Sequence, residues 1–190
     1  MSIPRHLFIF LLGTVFLLGA SCAFAADDGL GFQKKGEGKY VTVYASPGLD
    51  VARLVQQLDI RPSDEILSGR PVGSKNSREE ELVQMLDTLF IQVSDILDMH
   101  LYSLKTNIKI CKTAAELGEA YSRLFNASLG GRRSFYVYDF NSIYVSEENF
   151  LPGIIGHEMS HAIIGHYFGI PAPVKVQEVL SMYVEYNLKK

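Results

Sequence analysis

His157-Glu158-Met159-Ser160-His161 spell H-E-x-x-H. On a helix, residues four apart share a face, so two imidazoles at this spacing can reach one metal ion. Glu158 then sits about 100° around the helix, within reach of a metal-activated water without being a ligand. Two neutral nitrogen donors, an open coordination position and a carboxylate able to take a proton are what zinc-assisted hydrolysis requires. The flanks support a buried helix: Leu151-Pro152-Gly153-Ile154-Ile155-Gly156 precede the motif and Ala162-Ile163-Ile164-Gly165 follow it. Two His and a Glu in such a helix are costly without partners, and a metal site removes that cost.

A catalytic zinc usually takes three protein ligands. Glu178 follows in a segment with apolar residues at 176, 179, 180, 183 and 184, the spacing of an amphipathic helix. Gly169 and Pro171 stop the first helix and Pro173 opens the second. Two helices joined by so short a loop can turn Glu178 toward the His pair. Glu185 is the competing acid, deeper in the same helix, and Glu178 is favoured. His166 is the other rival, but it follows His157 by nine residues, about 180° around a continuous helix. The longer pattern H-E-x-x-H-x-x-G-x-x-H is also out of register, with Ile164 and Tyr167 where the glycine and third histidine would stand. His166 instead suits the negative end of a helix dipole.

His157–His161 followed by Pro173–Tyr186 resembles the gluzincin branch of the zincin metallopeptidases, closest to the peptidase MA-like group. The second motif of that group reads approximately P-x-W-x-x-E-G-x-A-x-Y. Pro173, Glu178, the small Ser181 and Tyr183 match it, whereas Lys175 replaces the tryptophan and Val179 the glycine. The resemblance spans about residues 134–190. It implies His157, His161 and Glu178 as ligands of one Zn2+, Glu158 as general base, and peptide or protein substrates. It also implies an α+β, zincin-like fold: a small mixed sheet with an edge strand or hairpin, packed on a long scaffold helix and on the H-E-x-x-H helix. An extended peptide would add to the sheet edge at Ile143–Val145 or at the partner strand.

The elements that must carry this site are readable in outline. Tyr40–Tyr44 is β-branched and aromatic, a strand. Leu49–Leu58 has helical spacing, with a short second helix between Ile60 and Leu67. Ser68–Asn76 holds Gly69, Pro71 and Gly73, a surface loop. Ser77 with Glu80 forms a capping box ahead of Leu82–Leu101, the long scaffold helix, and Thr113 with Glu116 forms another, opening a helix to about Phe125. Asn107–Cys111 is strand-like. Ser134–Tyr138 and Ser142–Val145 form a hairpin around Asp139-Phe140-Asn141. Tyr136, Tyr144, Tyr167 and Tyr183 are candidates for stabilising an oxyanion. Arg132-Arg133, just before the hairpin, could meet a carboxylate, but a solvated loop is the favoured reading.

The chain has 190 residues, 47% of them hydrophobic, enough for one domain with a sizeable core. A net charge of −3 without a basic stripe excludes a general nucleic-acid binder. At the N-terminus, Arg5, the apolar run Leu7–Leu18 and Ala23-Phe24-Ala25 compose a bacterial-style signal peptide over residues 1–25, cleaved after Ala25. The destination is then periplasmic or secreted, with no stable membrane span after cleavage. The alternatives are an uncleaved anchor and a lipoprotein acylated at Cys22. Residues 26–39 read as a flexible arm and 40–190 as a single metallopeptidase domain. Cys22 and Cys111 are the two cysteines, and cleavage leaves Cys111 alone, a small buried hydrophobe rather than half of a disulfide.

A second function class fits the same residues: a zinc-stabilised, non-catalytic binding module that presents its sheet edge to a protein partner. The chain stops directly after the Glu178 helix, so the expected cleft is shallow or completed by such a partner. Glu158 distinguishes the two, because a pure binding site has no use for a general base.

Overall fold

The computed structural model describes residues 28–68, 77–168 and 172–189. The expected signal peptide, most of the Ser68–Asn76 loop, and Gly169 and Pro171 lie outside the described residues. No described helix is long and apolar enough to cross a membrane.

The described residues form a mixed α/β fold with a five-stranded sheet and six helices. In chain order these are β1 (Gln33–Glu37), β2 (Val41–Ala45), α1 (Val51–Leu58), α2 (Asp64–Leu67), α3 (Arg78–Leu97), β3 (Thr106–Cys111), α4 (Ala114–Phe125), β4 (Ser134–Val137), β5 (Ser142–Ser146), α5 (Pro152–Tyr167) and α6 (Val174–Leu188). The sheet order is β1-β2-β3-β5-β4. The three inner strands run parallel, and each outer strand pairs antiparallel with its neighbour. Parallel neighbours need crossovers, and α1–α3 and then α4 supply them.

The inner strands are covered on both sheet faces, so even their polar positions, such as Thr42, Lys109 and Ser142, are buried. Alternation sorts their side chains. Val41, Val43, Ile108, Ile110, Ile143 and Val145 face a core built with α1, α3 and α5. Cys111, Tyr144, Phe135 and Val137 face the opposite side, where Leu117 of α4 and the segment carrying Leu30 and Phe32 cover them. Cys111 is a free, buried thiol, as its strand position implied.

Both helix starts marked by capping residues are present. Ser77 Oγ accepts from Glu80 N–H and the Glu80 carboxylate accepts from Ser77 N–H, each at 3.2 Å. Thr113 Oγ1 accepts from Glu116 N–H at 3.1 Å, but the Glu116 carboxylate takes Lys112 N–H, at 2.6 Å, so the second box is displaced by one residue. The scaffold helix ends at Leu97 rather than Leu101. Asp98 turns left-handed (φ 53°), and Met99 N–H returns to the Ser94 carbonyl at 3.0 Å.

The expected mobile arm needs correction. Within it, Gln33–Glu37 is an edge strand, β1, paired with β2. The glycine content that suggested flexibility serves close approach instead. A Cβ on Gly38 would lie 2.1 Å from Asp87 Oδ2 of α3. Backbone access there lets the buried Asp87 carboxyl accept three consecutive N–H groups, from Lys39 (2.7 Å), Tyr40 (2.7 Å) and Val41 (3.0 Å). The segment ahead of β1 is also tied down, because Lys109 Nζ and the Tyr144 hydroxyl both donate to the Asp28 carboxylate.

Removing the acceptor would strand three amide donors between β2 and α3. Asp87→Ala is expected to lower unfolding free energy by about 3 kcal/mol, measured by urea denaturation. A change within error of zero would show that water satisfies those amides.

Candidate metal centre

α5 begins at Pro152, whose ring fixes the backbone for a first helical turn and whose missing N–H costs nothing there. Ile154, Ile155, Met159, Ala162, Ile163 and Ile164 bury the helix on nearly all sides. His157 and His161 lie along the one stripe that stays partly open, ring centroids 5.1 Å apart.

α6 crosses α5 at close range, and small residues set the approach. Ser160 Oγ donates to the His157 carbonyl at 2.6 Å and meets Ser181 Oγ at 2.5 Å, with both serines fully buried. A Cβ on Gly156 would sit 2.2 Å from Leu188 Cδ1. This face differs from the one the apolar spacing suggested. Ser181 and Val184 are buried, while Val176, Val179 and Tyr183 point outward. Contact between helices here is limited by backbone distance, so small side chains win over large apolar ones.

The crossing brings Glu178 to the histidines. Glu178 Oε2 lies 3.7 Å from His157 Nε2, and Oε1 lies 3.5 Å from His161 Nε2. One donor atom from each of the three residues falls within 4.8 Å of the others. Donors around a tetrahedral zinc, each at about 2 Å, stand about 3.3 Å apart. The three residues could hold a metal ion, and their nitrogen and oxygen donors suit zinc.

The other ring nitrogens are also engaged. His161 Nδ1 faces Gln177 Oε1 at 3.4 Å, and Gln177 is itself fixed by donating to the Ala172 carbonyl at 2.6 Å. His157 Nδ1 is buried without a well-formed hydrogen bond, but the Glu185 carboxylate stands 3.4 Å away. Outer partners of this kind hold the Nε2 atoms toward an ion. Glu185, the rival third ligand, therefore lies behind His157. Burial works against its charge, but Lys189, His157 and Arg133 together hold its carboxyl below the usual range. Burial, reinforced by the neighbouring His157, lowers the His161 pKa and so favours the neutral imidazole a metal needs.

Glu158 is almost fully enclosed. Burial pushes its pKa up to about 7, opposed in part by Ser134 Oγ, which donates to Oε1 at 2.7 Å. Ser134 begins β4, the sheet edge beside α5, whereas Ile143–Val145 belongs to the interior strand β5. A cleft of about 630 Å³ opens between β4 and α6 and contains His157, Glu158, His161, Glu178, Gln177 and Ser134.

Other expected residues separate cleanly. His166 turns away from the cluster, donating from Nδ1 to the Ala162 carbonyl at 2.8 Å and stacking on Tyr138. Among the tyrosine candidates, Tyr136 lines the cleft, its hydroxyl donating to Asn141 Oδ1 at 3.1 Å and its pKa raised by burial. Tyr144 is buried on the far sheet face, and Tyr167 and Tyr183 are exposed outside the cleft. Tyr121 and Tyr138, which sequence reasoning passed over, line it instead. Ser134 and Gln177 were also missed. Gln177 could have been found by placing it one residue ahead of Glu178 on a helix turned toward α5.

Comparison with protein-family models, with curated proteins and with solved structures returned no match.

Ser181→Leu would force α6 away from α5, at a cost of about 1–3 kcal/mol for overpacking. Zinc affinity should fall at least tenfold when measured by competition with a chromogenic chelator. Unchanged affinity in a folded variant would mean that the α5–α6 distance does not set the centre.

Proposed function

We propose that this chain is an exported, gluzincin-like zinc metallopeptidase with a zincin-like fold. The observation that carries the reading is the meeting of Glu178 with His157 and His161, beside an enclosed Glu158. His157, His161 and Glu178 would hold the ion, with Gln177 and Glu185 steadying the two imidazoles from behind. When bound, zinc supplies Lewis acidity that polarises a carbonyl oxygen and lowers the pKa of a water toward about 7. Export to the periplasm or beyond rests on the signal-like residues 1–25.

The chain's own groups account for positioning and proton transfer. The β4 edge offers backbone donors and acceptors to an extended peptide, which would seat a scissile amide in front of Glu158. Glu158 accepts a proton from the attacking water as the new carbon–oxygen bond forms, then delivers it to the amine nitrogen as the carbon–nitrogen bond breaks. A carboxyl with pKa about 7 suits both halves of that transfer. Ser134 Oγ keeps Oε1 in place, and Oε2 would take the proton.

A second reading is a zinc-stabilised binding module that recruits a protein partner to this edge. One feature favours it: Val179, Met182 and Tyr183 on α6 are 67%, 63% and 55% exposed, more apolar surface than a solvated helix needs. The enclosed carboxyl at Glu158 favours catalysis, since burying an acid beside a binding site gains nothing for binding.

Glu158→Gln should retain a full equivalent of zinc and lower turnover of a quenched fluorescent peptide library by at least about 100-fold. Undiminished turnover in that variant would remove the mechanism. Turnover absent from zinc-loaded wild type would leave the binding module as the better account.

A further inference from the structure

Arg132 and Arg133 enter the mouth of the cleft side by side, from the turn that leads into β4. Arg133 is paired, with Nη2 3.5 Å from Glu185 Oε1. Arg132 differs. Among the described residues, no carboxylate pairs with its guanidinium. It rests on Tyr121, with Nη1 donating to the tyrosine hydroxyl at 3.0 Å and the guanidinium carbon 5.7 Å from the ring centroid.

That support is itself fixed. Tyr121 of α4 packs edge-on against Phe135 of β4, centroids 5.0 Å apart. The turn is set by Gly130 and Gly131, with φ of 65° and 78°, and by Arg132 N–H donating to the Leu129 carbonyl at 3.4 Å. A guanidinium carries five N–H donors in a planar fork, and the tyrosine hydroxyl occupies one of them. The remainder suit bidentate capture of a carboxylate, and stacking on an aromatic ring reduces the entropy lost in that capture. Arg132 lines the same cleft as Glu158.

Beside Arg132 the cleft wall is aromatic, formed by Tyr121, Phe125 and Phe135. Phe125 is 45% exposed there, an apolar surface open to a ligand side chain. Arg132 precedes Ser134 by two residues, at most about 7 Å of chain. An extended peptide spans the same distance in about two residues.

We propose that Arg132 is the carboxylate-recognition residue of this cleft. It selects peptides that carry a carboxylate about two residues from the position facing Glu158, next to an aromatic or aliphatic side chain seated on Tyr121, Phe125 and Phe135. The inference rests on the peptidase reading of the same cleft and names its substrate class. The carboxylate is either a free C-terminus or an acidic side chain, and the test separates them.

The experiment is calorimetric titration of the zinc-loaded Glu158→Gln protein, which binds without turnover. The probes are N-acetyl-Ala-Phe-Ala as the free acid and as the C-terminal amide, and the amides N-acetyl-Ala-Phe-Asp and N-acetyl-Ala-Phe-Asn. A free acid at least tenfold tighter than its amide assigns the C-terminus as the anion. An Asp peptide at least tenfold tighter than its Asn counterpart assigns an acidic side chain. Either preference should vanish when Arg132→Gln is added and persist with Arg133→Gln. Equal affinities across the set, no binding of any peptide, or a preference that survives Arg132→Gln would each overturn the inference. The last outcome would place the carboxylate on the metal instead. Failure of the peptidase reading is seen separately: the preferred peptide then binds with Arg132-dependent selectivity, yet zinc-loaded wild type leaves it intact.

Discussion

The distance between α5 and α6 is the constraint on which the site depends. Two histidines on one helix define a direction but not a metal centre, and the third donor must come from elsewhere at a fixed range. Here that range is set by small residues. Ser160 meets Ser181, and Gly156 leaves room for Leu188 where a single added methyl group would collide with it. Larger side chains on either helix would separate the backbones and carry Glu178 out of reach. The packing is therefore a length standard for the centre, and stability is only part of its role.

Electrostatics follow from the same geometry. Glu178 and Glu185 flank the imidazoles from two sides, one toward the open cleft and one behind His157. Lys189 and Arg133 also stand beside the Glu185 carboxylate, so the group behind His157 is held from several sides. Glu158 lies in an enclosed slot beside this network; Ser134 Oγ donates to its Oε1, while burial and, to a smaller degree, the neighbouring Glu178 and Glu185 oppose its charge. Two carboxyl groups on neighbouring elements thus have opposite tendencies, one held charged and one pushed toward neutrality. Such separation is a common basis for dividing roles between acids in one site.

Much of this was legible in the residues. The H-E-x-x-H spacing, the capping residues at Ser77 and Thr113, and the β-branched and aromatic residues of the strands are local signals, and the structure has helices and strands at those places. The grouping of Glu178 with the His pair was also readable from its distance along the chain. Other features depend on what lies across from a residue, which local patterns do not encode. β1 was read as a mobile arm because Gly38 and its neighbours look flexible, yet the glycine is there to let Asp87 approach the backbone. The buried face of α6 was misassigned because apolar periodicity normally marks the core, whereas here Val176, Val179 and Tyr183 face outward. Ser134, Gln177 and Arg132 gain their meaning only when β4, α6 and the turn after α4 converge on one cleft.

The central claim is that a helix pair builds a three-residue metal centre, and metal content tests it most directly. Purified protein and its Glu178→Ala variant should be supplied with zinc, dialysed and analysed by elemental mass spectrometry. One equivalent of zinc in the wild type, lost or strongly weakened in Glu178→Ala, is the result this account requires. Zinc fully retained by the variant, or no zinc bound by the wild type, would contradict it.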